Sequence, residues 1–433
     1  MSNIFSTAPR QTRINQLQIL NGRLSLEFVY PAEHPQVVLN ALEVGFAPAS
    51  IFSAQGRIVS VQGDAGTIHS PQTATTLDAT GCYVLPGFVD VHVHGSAGHD
   101  VMDATPAALA ALADFFAQQG VTSFLPTTMT APHAPTLAAV ENVARVAPAY
   151  THGGAGIGAR ILGIHLEGPY LSRKFPGAQP IAYIRPPNLV EFRQLLAAGP
   201  VKMITLAPEE AGADALIAEA LRHQVRVVLG HTNATYEQAQ RAIGLGISQA
   251  THTYNAMTGL HHRQPGTLGA VLTNPALYAQ VITDNVHVYP AAVDVLVRCK
   301  GVARTLVITD AIRATGLPPG EYDLGGQMVT VHGDECRLAD GTLAGSVLTM
   351  DRGLRNFMAA TGLSLAQAWP ATSRSAAHAL GLAGEIGSIA PGFWADLVLL
   401  DQALQVVATV VAGQVAYLRE PERLHDTSHE QGL

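Results

Sequence analysis

Two histidines one residue apart, His92 and His94, close an apolar β-branched run, and later runs of the same kind end in His165-Leu166-Glu167, His231, His252 and Asp310. Side chains on a strand alternate between its faces, so His92 and His94 share a face while Val93 points the other way. Both can reach one ion. A lone histidine at a strand end is more often a hydrogen-bonding residue than a ligand. Four histidines and two carboxylates on one face are a different matter, because burying that many polar groups is costly unless something satisfies them. Nitrogen and oxygen donors without a thiolate suit zinc first, with iron, cobalt and manganese as other divalent candidates. The set accommodates one or two ions per chain. In the two-ion arrangement His92, His94 and Glu167 hold the first, Glu167, His231 and His252 hold the second, and a hydroxide lies between. Metal-bound water has its pKa lowered to about 7 and becomes a nucleophile at neutral pH. Asp310 is then the natural proton shuttle.

These residues meet only if their runs lie side by side. The runs fall at residues 83–94, 121–127, 160–167, 201–206, 225–231, 248–254, 278–284 and 305–310. Ala/Leu-rich helical stretches separate most of them, at 106–119, 189–198, 213–223, 236–244 and 291–300. Alternating strands and helices give parallel strands with right-handed crossovers, and eight such units over about 250 residues make a closed (β/α)8, TIM-like barrel of the α/β class. The C-terminal strand ends form the active-site face of such a barrel. The flanks read differently. Residues 12–80 and 388–418 hold short alternating segments with turn signals at Asn21-Gly22, Gln55-Gly56 and Ala412-Gly413. Neither flank can build a core alone, so the two ends are expected to pair into one small β-sandwich. The expected division is 1–81 for its N-terminal part, 82–385 for the barrel, and 386–433 for its C-terminal part with a frayed polar tail.

Composition narrows the partners. With 25 Lys+Arg against 33 Asp+Glu the net charge is −8, and no basic run occurs, which argues against nucleic acid and anionic membrane surfaces. The 48% hydrophobic and 13% charged content is that of a core-rich globular chain. Residues 404–418, the longest apolar stretch, contain Gln405, Gly413 and Gln414 and cannot span a bilayer. The first 13 residues lack the zones of a secretory signal. Cys82, Cys299 and Cys336 fit neither a disulfide framework nor a thiolate zinc site, so a soluble cytoplasmic protein with reduced thiols is expected. The glycine-rich stretch 153–158 precedes a strand instead of joining a strand to a helix, so it reads as a flexible access loop and not a phosphate loop. No Ser or Cys lies in a nucleophile-elbow context.

The set His92-x-His94, Glu167, His231, His252 and Asp310 on a barrel with paired chain ends resembles the amidohydrolase superfamily. Within it, His165-Leu166-Glu167-Gly168-Pro169-Tyr170, Gly230-His231-Thr232-Asn233-Ala234-Thr235, Thr251-His252-Thr253-Tyr254-Asn255-Ala256-Met257 and Gly341-Thr342-Leu343-Ala344-Gly345-Ser346 resemble the N-acetylglucosamine-6-phosphate deacetylase family. Superfamily members that bridge two metals with a carboxylated lysine carry it at the end of strand four. Here that strand ends in Leu206-Ala207-Pro208, and Glu167 takes the shared place. The resemblance implies hydrolysis of the acetamido group of a 6-phosphorylated amino sugar, with Asp310 first accepting a proton and then giving it to the departing amine. It maps phosphate and sugar recognition onto Asn255, Ala256, Arg263 and His287, and places Gln179 near the substrate amide. It also implies a homodimer in which Arg263 reaches the neighbouring site. Asp284-Asn285-Val286-His287 has Asn at a turn position, and Asn tolerates the left-handed conformation better than other non-glycine residues. Three alternatives stay open: the galactosamine epimer as substrate, other amide or deamination chemistry with no need of Arg263, and a non-catalytic barrel, which the intact ligand set disfavours.

Overall fold

The computed structural model describes residues 14, 16–25, 46–63, 74–151 and 156–425. Among them, eight parallel strands form the barrel: β1 (Phe88–Val93), β2 (Val121–Thr128), β3 (Ile164–Glu167), β4 (Val201–Leu206), β5 (Arg226–Leu229), β6 (Gln249–Ala250), β7 (Tyr278–Ile282) and β8 (Thr305–Ile308). Each pairs in parallel with the next. Every residue of β1, β2, β3 and β8 is buried, as a parallel sheet covered on both faces requires. The ring closes between β8 and β1 through a parallel bridge between Val93 and Ala311. Asp310 N–H donates to His92 O at 3.0 Å, and His94 N–H donates to Ala311 O at 2.8 Å. Below them, Thr309 Oγ1 donates to the buried Asp90 carboxylate at 2.5 Å. The seam of the barrel therefore fixes His92, His94 and Asp310 relative to one another through the backbone.

The helices obey local chemistry. Pro106–Gln118 starts with Thr105, whose hydroxyl accepts from Ala108 N–H, and has Pro at its first position, where the missing donor costs nothing. Its Leu109, Leu112 and Phe116, spaced three and four apart, are the face buried against the barrel. The helices His133–Val146, Gly266–Thr273 and Met350–Thr361 had no counterpart among the expected segments. Neither did an antiparallel meander inserted after β8, Gly320–Leu324, Gln327–His332 and Glu335–Leu338.

Three sequence expectations are corrected. The run at 83–94 is two strands: Tyr83–Pro86 pairs antiparallel with Leu397–Leu400 in the terminal sheet, and the chain crosses into the barrel at Gly87. A Cβ at Gly87 would lie 2.1 Å from Thr122 Cγ2, so only glycine passes there. Asn21-Gly22 is no turn. The strand Gln16–Ser25 runs through it with a bulge between Ile19 and Gly22, Asn21 taking φ 60°. Strands five and eight stop two residues short of the expected ends and strand six four, because His231, His252 and Asp310 adopt φ of 47°, 21° and 51° and break the ladder.

Both chain ends share one branched sheet. Gln414–Leu418, Val406–Val411, Leu397–Leu400, Tyr83–Pro86, Gln16–Ser25, Phe46–Ala54 and Arg57–Gly63 lie in that order, with Thr75–Asp78 also on Gln16–Ser25. It encloses its own core, which includes Leu17, Ile19, Ile51, Leu77, Leu397 and Val407. A buried ion pair fastens this sheet to the barrel: both guanidinium nitrogens of Arg160 meet the two Asp396 oxygens at 2.8 Å, and Ala412 N–H donates to Asp396 Oδ1 at 2.7 Å. The side chains are 4% and 3% exposed. Asp396→Ala leaves the guanidinium buried and uncompensated, and should lower the unfolding free energy by about 3–5 kcal/mol. The denaturant midpoint measures this, and an unchanged midpoint would show that the pair holds nothing together.

Candidate metal centre and substrate cavity

The six candidate groups converge at the C-terminal mouth of the barrel. His92 lies on β1 with His94 one residue beyond it, Glu167 ends β3, and His231, His252 and Asp310 each follow their strands by two residues. All are buried, Asp310 the most exposed at 7%. Glu167 is central. Its Oε1 lies 3.1 Å from His231 Nε2, 3.2 Å from His252 Nε2 and 3.4 Å from His92 Nε2, and its Oε2 lies 3.2 Å from His94 Nε2. The His231 and His252 Nε2 atoms are 3.1 Å apart. Asp310 Oδ1 stands 3.3 Å from His94 Nε2 and 3.5 Å from His92 Nε2.

Two three-donor groups result: His92, His94 and Asp310, and Glu167, His231 and His252. Ligand atoms bound tetrahedrally at 2.0–2.1 Å stand about 3.3 Å apart, so these separations are those of donors around a divalent ion. The ring orientations fit the same use. His94 Nδ1 contacts Thr127 O at 3.2 Å and His231 Nδ1 contacts Phe175 O at 3.1 Å. A carbonyl oxygen only accepts, so both rings carry a proton on Nδ1 and turn Nε2, the atom that can ligate, toward the cluster. Asp310 thus stands beside the first histidine pair as a third donor, a position that the spacing of the sequence had reserved for Glu167 alone.

Electrostatics agree with the geometry. Burial works to raise the Glu167 carboxyl, but His92 and the hydrogen bonds from His231 and His252 hold it well below the usual range. Burial likewise opposes ionisation of Asp310, and His92 and His94 overcome it. His165, one turn of the pleat beneath Glu167, is kept neutral by burial and by His92, and bonds Thr205 Oγ1 through Nε2 at 2.8 Å. It supports the cluster from below and is not part of it.

Above the cluster opens a cavity of about 580 Å³ with His94, Glu167, His231, His252 and Asp310 on its floor. Gln179, Asn255, Ala256 and His287 line it as well. The Gln179 amide is committed at both ends: Oε1 accepts from Thr130 N–H at 2.7 Å and Nε2 donates to Glu167 Oε2 at 2.6 Å. Ala256 takes φ 49°, and its carbonyl accepts from Thr232 N–H at 3.1 Å. Asn255 Nδ2 donates to His252 O at 3.1 Å. His287 is set by Asp284, whose Oδ2 meets its Nδ1 at 2.7 Å while Oδ1 accepts from the Val286 and His287 N–H groups at 2.9 and 2.8 Å. Asn285 makes that turn in the left-handed region, at φ 67°. Arg263 is exposed, bonded to the neighbouring His262 Nε2 at 2.8 Å, and lies outside the cavity of its own chain.

The cavity also contains residues that the sequence reading passed over, Lys174 and Arg337 among them. Lys174 could have been flagged, since it follows a barrel strand and precedes Gln179. Arg337 comes from the inserted meander, and no spacing in the sequence points it toward the barrel mouth. Of the glycine-rich stretch 153–158, residues 153–155 lie outside the described residues, as does the tail beyond 425.

Comparison with known proteins follows the same lines. The Amidohydrolase family profile matches residues 83–416. The N-acetylglucosamine-6-phosphate deacetylase of Lysinibacillus sphaericus is 39% identical over 372 residues, 84% of this chain and 92% of that protein. The N-acetylgalactosamine-6-phosphate deacetylase of Escherichia coli O157:H7 is 42% identical over 348 residues, 80% of this chain and 90% of that one. A mutant N-acetyl-D-glucosamine-6-phosphate deacetylase from Mycobacterium smegmatis, solved with N-acetyl-D-glucosamine-6-phosphate, superposes with a TM-score of 0.81 at 32% identity, covering 94% of this chain and all of that one.

Proposed function

The chain belongs to the amidohydrolase family, and from that premise we propose that it hydrolyses N-acetyl-D-glucosamine 6-phosphate to D-glucosamine 6-phosphate and acetate. The observation that carries this reading is the pair of three-donor groups under one cavity with Asp310 on its floor. His92, His94 and Asp310 would hold one divalent ion, and Glu167, His231 and His252 the other, Glu167 being within reach of both. Zinc suits the donors best, with iron, cobalt and manganese as substitutes. When bound, such an ion supplies Lewis acidity and water with a pKa of about 7.

The chain's own residues do the rest. Asp310 accepts the proton of the attacking water and returns it to the amine nitrogen as the C–N bond breaks. Without that second transfer the leaving group would be an amide anion, which is far too basic to depart. His287, oriented by Asp284, and Asn255 with the Ala256 backbone hold the sugar phosphate. Arg263 completes the phosphate site of a second subunit in a homodimer; its exposure outside its own cavity supports that role. No helix among the described residues is long and apolar enough to cross a membrane. Three unpaired cysteines suit a reducing compartment, and we place the protein in the cytoplasm.

A second reading has its own support in the Escherichia coli relative, whose name specifies the galactosamine epimer. Acetate release from the two 6-phosphorylated epimers and from unphosphorylated N-acetylglucosamine decides among them by kcat/KM. The glucosamine 6-phosphate derivative should lead, exceeding its unphosphorylated counterpart by about a hundredfold or more, as charge-assisted phosphate contacts dictate. Arg263→Ala should raise KM for it about tenfold at unchanged metal content. A lead for the galactosamine epimer would reassign the substrate, and activity on no acetylated sugar would reject the reaction.

A further inference from the structure

The loop 172–180 after β3 forms part of the cavity wall and also touches the cluster on its floor. Lys174, Phe175, Pro176, Gly177, Ala178 and Gln179 line the cavity. On the other side the loop grips two of the candidate ligands. Phe175 O accepts the His231 Nδ1 proton, Ser172 N–H donates to His231 O at 2.9 Å, and a Cβ at Gly177, with φ 53°, would come within 3.1 Å of His231 Cε1. Gln179 reaches Glu167. Because its Oε1 is claimed by the Thr130 N–H, its Nε2 must be the atom facing the carboxylate, and the amide has one workable orientation.

That contact carries a consequence for Glu167. The last torsion of a glutamate is broad, so the side chain alone does not fix the plane of the carboxylate among the four histidines. Gln179, 5% exposed, pins Oε2 and leaves Oε1 toward His231, His252 and His92. We propose that Gln179 is a positioning residue for the Glu167 carboxylate, and that through it and Phe175 the loop 172–180 acts as a strap whose closure and the retention of divalent ions favour each other. Swinging the strap away removes the orienting partner of Glu167 and of His231 together. The meander after β8 reinforces the closed position, since Gln327 Nε2 donates to Ala178 O at 2.6 Å.

The inference rests on the reading that the cluster holds divalent ions, and zinc alone serves as the probe. Wild type, Gln179→Glu and Gln179→Leu are loaded with zinc(II), and the rate of release to a chelator is followed with the thermal midpoints of loaded and metal-free protein. Gln179→Glu keeps an acceptor for Thr130 N–H but sets a second charge against Glu167 in place of the donor, whereas Gln179→Leu removes the donor without adding charge. Acceleration in both variants therefore marks the lost donor, and acceleration in one alone overturns that role. Release should accelerate at least about tenfold in both variants, the size expected when an outer-shell partner of a ligand is lost. The gap between loaded and metal-free midpoints should narrow accordingly. In the wild type, amide exchange across 172–180 should speed up when zinc is stripped, while β4 stays protected. Wild-type release rates in both variants, or strap exchange indifferent to zinc, overturn the coupling and leave the metal reading standing. A wild type that retains no zinc overturns both.

Discussion

Asp310→Asn should lower kcat by about a thousandfold, within the range that one general acid–base group contributes, while the protein keeps its ions. The substitution is nearly isosteric. An Asn carbonyl oxygen can occupy the place of Oδ1, 3.3 and 3.5 Å from the His94 and His92 nitrogens, and the Asp310 N–H to His92 O bond at the barrel seam is untouched. What Asn lacks is the ability to take a proton and give it back. Acetate-release kinetics paired with elemental analysis separate the two roles. Turnover lost with metal retained assigns the proton transfer to Asp310. Equal loss of both would make it a ligand and nothing more, an outcome given weight by its standing third in the first donor group.

The parts of this site that could be read from the sequence are those whose chemistry follows a strand period. His92-x-His94 and the strand-end positions of Glu167, His231, His252 and Asp310 announced both the cluster and the face of the barrel that holds it. The strand ends themselves were misplaced because left-handed φ at His231, His252 and Asp310 costs the ladder its last rungs; His and Asp enter that region more often than most residues, but too rarely for residue type alone to mark the break. Gly87 hid a strand break, since an apolar run reads alike whether one glycine carries it straight or across to a second sheet. The meander 320–338 carries hairpin signals of its own, Gly325-Gly326 and Gly333-Asp334 between alternating runs, but nothing local says that it folds over the barrel mouth, so Arg337 reached the cavity unannounced. Gln179 was legible as a cavity residue, yet its grip on Glu167 needs Thr130 to fix the amide, and no spacing relates residue 130 to residue 179.

Glu167 carries the second large effect. Its two oxygens reach the nitrogens of all four histidines, so Glu167→Ala removes from the cluster an anion that belongs to the second donor group and lies within reach of the first. Four buried imidazoles then face one another with Asp310 as the remaining carboxylate, and two dications would lie there without the anion that had offset part of their charge. Both ions should be lost and turnover abolished. His231→Ala is the contrast, since it should empty only the group to which His231 belongs. The measurement need not depend on activity. An ion that binds only the folded protein adds about 2.7 kcal/mol of stability at free zinc a hundred times its Kd, so a zinc titration should raise the thermal midpoint of wild type and leave that of Glu167→Ala where it was. A midpoint for Glu167→Ala that still rises by part of the wild-type shift would locate an ion held by His92, His94 and Asp310 alone. The two groups would then be independent sites, and Glu167 a ligand of the second without bridging to the first.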